Sequence, residues 1–433
     1  MIKPFSHTLE NELRIVCVEM PHLHCAELAI YIKAGGRNDP PGKEGLSHFL
    51  EHILFRGTED FSSSLEIEKA FETIGGMPNA STDAESTSFY SRIHPDYIRR
   101  GMEIFASMLM RPKLEGIEIE KRIITEEARE DFNEQGVEIN TDTIASRMLW
   151  PKHPLGMPTI GSLESIACIN REDLEKHLSN HYIPCGAVVV VAGPVQSDNV
   201  FKEATAVFGG WVGEMPKPLN LVTRQQTKPQ IKFVRDSDSQ MALQIAFLAL
   251  RRGDSRFMGL RLLRRLLAGG GSSRLHLRLR EKLGIVYCVE AALGAYDETG
   301  CFSIDLSTAP DTLNQAIDVT LEEILRVCTE PIPQDELDRV KQAYIFDLEF
   351  SRDSTYEMGG RYGWGELMGV VRSIEADQEE ARCITAVEIM ETARFVFAPQ
   401  NLRLVAVGPW KNKMKKQTGE LVTAFSSAYA AIN

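Results

Sequence analysis

HYIPCGAVVVVAGPV, residues 181–195, is written a second time in this chain as VFAPQNLRLVAVGPW, residues 396–410. Each copy passes from an aromatic through a proline into a short apolar strand that closes in Gly-Pro. An offset near 215 residues is far longer than a solenoid unit and marks a duplicated domain. Upstream segments keep the same register. CAELAIYIKAG (25–35) falls on SQMALQIAFLAL (239–250), and GLSHFLEHILFRG (45–57) falls on MGLRLLRRLLAGG (258–270). DAESTSFYSRI with its following helix DYIRRGMEIFASML matches DETGCFSIDLS with its following helix DTLNQAIDVTLEEIL. Each half therefore mixes strands, separated by turn signals, with long amphipathic helices. This predicts the α+β class: two homologous domains, each an antiparallel-rich sheet covered by helices. The Pro- and Gln-rich stretch GEMPKPLNLVTRQQTKPQ (213–230) divides them as a linker, leaving domains at 1–212 and 231–433.

One duplicated segment carries chemistry in the first copy only. In GLSHFLEHILFRGT (45–58), His48, Glu51 and His52 form an H-x-x-E-H pattern. On a helix, His48 and His52 stand one turn apart and can grip one Zn²⁺ through ring nitrogens, with Glu51 beside them. This is the metallopeptidase helix motif in inverted order. Ten histidines make a chance match roughly one in fifty, so the context matters. The motif sits in an apolar helical pattern (Leu46, Phe49, Leu50, Ile53, Leu54, Phe55) that stops at Gly57. Ionisable groups beside such a stripe are costly unless they bind a cation or each other. The second copy has Arg261, Arg264 and Arg265 at the matching positions, so it cannot hold that metal. Two histidines leave a catalytic zinc one protein ligand short. The acid-rich helical run GIEIEKRIITEEAREDFNE (116–134) offers Glu118, Glu120, Glu126, Glu127, Glu130, Asp131 and Glu134, and its periodicity does not choose among them.

Length and composition bound the rest. At 433 residues, two or more domains are expected, and 43% hydrophobic with 25% charged residues fits a soluble globular protein. A net charge of -13 argues against nucleic acid or an anionic membrane as partner, because both need clustered Lys and Arg. The eight cysteines show no C-x-x-C pair or framework spacing, which predicts reduced thiols in the cytoplasm. The start, MIKPFSHTLENELRIVCVEM, shows no secretory signal, and no stretch is long and apolar enough to span a bilayer.

H-F-L-E-H followed about 75 residues later by E-K-x-I-I-x-E-E resembles the pitrilysin, or M16, metallopeptidases, whose pattern is H-x-x-E-H with a downstream E-x6-E. PNASTDAESTSFYSRI, HPLGMPTIGSLESI and LAGGGSSRLHLRLREKLGIVYCV also look like family landmarks, and the resemblance covers essentially the whole chain. Its length and single duplication place it with the short-chain, mitochondrial-processing-peptidase-like subgroup. The resemblance implies one Zn²⁺ per chain held by His48, His52 and Glu127, with Glu120 supporting a ligand and Glu51 as general base. It implies that Arg280 and Tyr287, seven apart in LREKLGIVY, hold the substrate backbone and stabilise the tetrahedral intermediate. It also implies that the strand bearing Asn79 and Ala80 is a sheet edge, to which an unfolded peptide adds as a further strand. Family chambers use four such domains, so a dimer is expected, a homodimer or a heterodimer with a related subunit. The other reading from the same resemblance is a non-catalytic structural subunit.

Overall fold

The computed structural model of the protein describes residues 4–213, 221–222 and 227–432. Most of the 213–230 linker lies outside the described residues. The chain divides into two compact units. One takes the described residues of Met1–Glu130, Met157–Asn220 and Leu348–Ile374; the other takes those of Asp131–Gly156, Leu221–Asp347 and Glu375–Asn433. Each compact unit thus adopts one segment from the opposite half of the sequence, 348–374 in the first case and 131–156 in the second.

The first unit holds a six-stranded sheet of β1 (Pro4–Thr8), β2 (Arg14–Glu19), β3 (Ala26–Ile32), β4 (Asn79–Thr82), β5 (Thr87–Ile93) and β6 (Ala187–Gly193), in the order β1-β2-β6-β3-β5-β4. The second holds β7 (Gln230–Arg235), β8 (Met241–Ala249), β9 (Val286–Ala295), β10 (Gly300–Thr308) and β11 (Leu402–Gly408), in the order β7-β11-β8-β10-β9. Without β1, the two orders are the same strand for strand. The hand of pairing also repeats: β2 runs parallel to β6 as β7 does to β11, and the remaining pairs are antiparallel. The duplication read from residues 181–195 and 396–410 is therefore a duplication of topology. Those two segments form β6 and β11, whose residues are all buried. Central strands covered on both faces are buried along their length, β6 as an unbroken apolar run and β11 with a single charged residue, Arg403, while β5, next to the edge, alternates buried residues with half-buried or exposed ones.

In the first unit, helices α1 (Leu46–Leu54), α2 (Ile98–Met110), α3 (Ile117–Arg129) and α4 (Arg171–His181) share one core with the sheet. The second unit has α5 (Phe257–Ala268), α6 (Leu313–Thr329) and α7 (Gln334–Phe350), the last mostly within it. In α1, Leu46, Phe49, Leu50, Ile53 and Leu54 are buried at helical spacing. Each such side chain contributes about 1.5–3 kcal/mol by leaving water, which fixes which face of α1 remains for His48, Glu51 and His52.

The start of α1 depends on two glycines. Gly45 sits at φ +92 and Gly161 at φ +89; a Cβ on Gly161 would stand 2.2 Å from the Glu44 carbonyl oxygen, and one on Gly45 2.3 Å from that of Ile160. Only a residue without a Cβ lets these backbones approach. Gly161→Ala is expected to cost more than the ~1–2 kcal/mol of left-handed strain alone, read as a fall in the denaturant midpoint. An unchanged midpoint would contradict the close approach.

Candidate metal centre and active site

Helix α1 presents His48 and His52 with ring centroids 4.6 Å apart. Helix α3 brings Glu127 to both: its carboxylate oxygens lie 3.7 Å from His48 Nε2 and 3.8 Å from His52 Nε2. These gaps are too long for hydrogen bonds. They are slightly wider than the ~3.3 Å separating two ligands of one tetrahedral zinc with bonds near 2.0–2.1 Å. Two imidazole nitrogens and one carboxylate, all within 4.8 Å, make a donor set that fits Zn²⁺. The Glu127 side chain is 47% exposed, so the cluster faces solvent and leaves room for water or substrate. Burial, and then neighbouring His52, lower His48 to about 4, so its ring is neutral and able to ligate at neutral pH.

Glu120 stands two turns before Glu127 on α3 and occupies a different place. Its Oε2 lies 3.2 Å from His52 Nδ1, and Arg56 Nε donates to its Oε1. An Nδ1–H held by a carboxylate leaves the Nε2 lone pair free for a metal and fixes the ring plane. Burial alone would raise Glu120, but the hydrogen bonds from His52 and Arg56 prevail and hold it below its usual range. The E-x6-E spacing thus separates one acid facing the metal position from one gripping a ligand from behind.

Glu51 is buried, and its Oε2 accepts a hydrogen bond of 2.5 Å from Thr82 Oγ1. Burial raises its pKa, opposed by the Thr82 bond and by His52. A carboxylate whose pKa is raised holds a proton more readily, which suits a proton acceptor. Thr82 is the last residue of β4, the sheet edge that also carries Asn79 and Ala80, and β4 pairs on one side only, with β5. The edge therefore ends beside Glu51.

Arg280 and Tyr287 lie in the second unit and meet there. Arg280 is on a π-helical turn, His276–Lys282, and Tyr287 is at the start of edge strand β9. The guanidinium carbon sits 5.4 Å from the Tyr287 ring centroid, and Tyr287 is 84% exposed. A tyrosine this exposed contributes little to the core and presents its hydroxyl outward.

A buried group behind α1 went unnoticed in the sequence. The Asp39 carboxylate accepts from the backbone N–H of Gly45 at 2.8 Å and of Ser47 at 2.9 Å. The Ser47 hydroxyl lies 2.6 Å from Asp39 Oδ1 and 2.9 Å from His177 Nε2 on α4. Burial pushes Asp39 up to about 7 against these bonds and drives His177 down to about 3. A neutral His177 can donate to Ser47, and Ser47 to Asp39. Asp39 therefore satisfies N–H groups at the first turn of α1, next to His48, although it lies six positions before Gly45. Asp39→Ala is expected to cost about 2 kcal/mol and to weaken zinc affinity about tenfold or more by loosening α1. Chemical denaturation and competition with a zinc indicator measure the two effects.

The second unit shows what the same helix does without ligands. On α5, Arg265 Nη1 pairs with Asp347 at 2.5 Å, Arg261 Nη1 lies 3.2 Å from the Tyr344 hydroxyl and 3.7 Å from Asp377, and Arg264 Nη1 donates to the Ala291 carbonyl at 3.3 Å. Ion pairs and hydrogen bonds to α7 and its surroundings stand where the first unit has its His-Glu cluster.

The family model described as insulinase, peptidase family M16, matches residues 14–162, and that described as the peptidase M16 inactive domain matches residues 169–344. An uncharacterized zinc protease of Bacillus subtilis is 28% identical over 419 residues, covering 95% of this chain and 99% of that protein. One of Rickettsia bellii is 29% identical over 419 residues, covering 93% and 96%. A protease from Helicobacter pylori shares the fold, with a TM-score of 0.87 at 22% identity over 94% of this chain and 100% of that one. With family models matched over residues 14–162 and 169–344 and relatives that cover more than nine-tenths of it, the chain belongs to peptidase family M16.

Proposed function

We propose that this chain is a zinc-dependent endopeptidase that cleaves unfolded peptides or leader-type segments inside a chamber formed by a dimer. The observation that carries the reading is the convergence of His48, His52 and Glu127 from two helices, with buried Glu51 beside them and Glu120 holding His52 from behind. A Zn²⁺ bound by those three residues supplies Lewis-acid activation of a water and of the peptide carbonyl. Glu51 accepts the proton released as water attacks the carbonyl and passes it to the leaving amine. The β4 edge orients the peptide by backbone hydrogen bonds, which suits extended chains and reads side chains little. Arg280 and Tyr287 of a second protomer hold the backbone on the far side and donate to the developing oxyanion.

Support for a dimer comes from the resemblance alone: family chambers use four such domains, and this chain carries two. A homodimer suffices; a related subunit could take the same place. Eight cysteines without a disulfide suit a cytoplasmic setting. Among the described residues, no helix is long and apolar enough to cross a membrane.

The test joins metal analysis to turnover. One zinc per chain and cleavage of a quenched peptide library are expected; chelation removes both, and added zinc restores both. Protein that binds no zinc, or that cuts equally well after losing it, refutes the reading. Stoichiometric zinc with no cleavage of any peptide favours the structural-subunit reading instead.

A further inference from the structure

Glu51 is held by one carboxylate oxygen and open at the other. Oε2 accepts from Thr82 Oγ1 at 2.5 Å, whereas Oε1 makes no hydrogen bond among the described residues and is not sealed from solvent. The two oxygens of the carboxylate are therefore not equivalent.

A threonine hydroxyl has one proton, and its surroundings decide where that proton goes. Besides Glu51, the partner of Thr82 Oγ1 among the described residues is Thr87 Oγ1, 3.4 Å away. Thr87 is fully buried and donates its own proton to the Ala34 carbonyl at 2.9 Å, so it has none left for Thr82. As an acceptor it is also farther off and weaker than a carboxylate. Thr82 therefore gives its proton to Glu51, which meets it with an unprotonated Oε2.

The strand and the turn beyond it keep Thr82 in place. Alternation along β4 turns Ala80 and Thr82 to the face of the sheet where α1 lies and leaves Asn79 and Ser81 exposed. Each residue of the following turn, 83–86, is then anchored. Gly36 N–H donates to the Asp83 carbonyl at 3.0 Å and Arg37 N–H to that of Ala84 at 2.9 Å. Arg37 and Glu85 form an ion pair with both side chains buried, and Trp364 Nε1 donates to Ser86 Oγ at 3.2 Å. A hydroxyl at the end of a strand pinned in this way has little freedom to turn to another partner.

We propose that Thr82 is a positioning residue for proton transfer: by occupying Oε2 it leaves Oε1 as the oxygen that takes the proton of the attacking water. This rests on the peptidase reading and adds to it which oxygen of the base reacts and what aims it. The water O–H bond breaks as the water oxygen joins the carbonyl carbon, and the proton passes to Oε1; from there it moves to the amide nitrogen as the C–N bond breaks. The edge strand then serves twice. Its backbone is the template for the peptide, and its last side chain sets the base in advance, so that no reorientation is needed during the step.

The experiment compares Thr82→Val, which keeps the shape and removes the hydroxyl, with Thr82→Ser, which keeps the hydroxyl. A hydrogen bond to a charged group is worth about tenfold or more in an equilibrium. Thr82→Val is expected to lower kcat on a quenched peptide by about tenfold or more, with KM and zinc affinity, the latter read by indicator competition, each within about threefold of wild type. Thr82→Ser keeps at least about a third of the wild-type kcat. In a Glu51→Gln background, Thr82→Val changes the residual rate by less than about twofold, because the hydroxyl acts only through the base. Undiminished kcat in Thr82→Val overturns the assignment, as does a serine variant as slow as the valine one. So does a loss that persists without Glu51, or one that zinc affinity follows. Wild type that cuts no peptide removes the peptidase reading and this role with it, whereas wild type and Thr82→Val that cut equally well remove this role alone.

Discussion

Glu51→Gln is expected to lower kcat by a factor of 10² to 10⁴, about 3 to 5 kcal/mol of transition-state stabilisation, while the protein keeps one zinc per chain. The size follows from its place. Glu51 is not among the three groups that converge on the metal position, so amide for carboxylate leaves the donor set of His48, His52 and Glu127 intact. Thr82 Oγ1 can still donate to the remaining oxygen, so the side chain keeps its orientation and its burial. What the substitution removes is the ability to take a proton. Elemental analysis together with single-turnover cleavage separates the two roles. Loss of zinc in Glu51→Gln would make Glu51 a structural residue, and undiminished turnover would assign the base elsewhere. The neighbouring substitution Glu120→Gln should act differently. It leaves the proton acceptor in place and weakens the hold on His52, so its main effect is on zinc affinity.

The parts of this picture legible in the sequence share one property: they are local patterns or local patterns repeated. The buried strands at 187–193 and 402–408 announced themselves by apolar runs, broken in the second only by Arg403, and the agreement of two copies fixed their register in the chain. His48, Glu51 and His52 lie within one helical turn, so spacing alone placed them on one face. Periodicity left several acids of residues 116–134 open, because a solvated helix face and a ligand-bearing face look alike without knowledge of what packs against them. The family spacing chose Glu127 and Glu120; the structure shows these two reaching the histidines from α3. Asp39 remained hidden for a similar reason. A capping group is sought at the residue before a helix, and here the carboxylate returns from six residues earlier through a loop that sequence pattern does not describe. The makeup of the compact units was equally opaque. Segment 131–156 holds one nine-residue helix, Thr141–Leu149, and 348–374 a series of short helical turns, and nothing in a local pattern records which core such elements will join.

Mixing two inactive variants is expected to restore activity if the site is completed by a second protomer. Let one chain carry Glu51→Gln and the other carry Arg280→Ala with Tyr287→Phe, each alone losing at least a hundredfold in kcat/KM. In a two-fold dimer each site takes its zinc helix from one protomer and its Arg-Tyr pair from the other. A mixed dimer then holds one site with both lesions and one with neither. Random re-association makes half the dimers mixed and half their sites intact, so about a quarter of wild-type activity returns. Arg280 and Tyr287 suit such a role: they stack on each other at 5.4 Å, and Tyr287 is 84% exposed, so neither substitution opens a cavity in the core of the second unit. If each chain completes its own site, every site in every dimer keeps one lesion and mixing restores nothing. The two arrangements therefore differ by a factor of 25 or more in a single rate, measured after partial denaturation and re-association, with zinc content checked in each variant. Recovery of activity would make the second domain, which carries Arg261, Arg264 and Arg265 where the first has His48, Glu51 and His52, the half that supplies the backbone clamp to its neighbour. The duplication would then have been kept because the two copies divide one reaction between them.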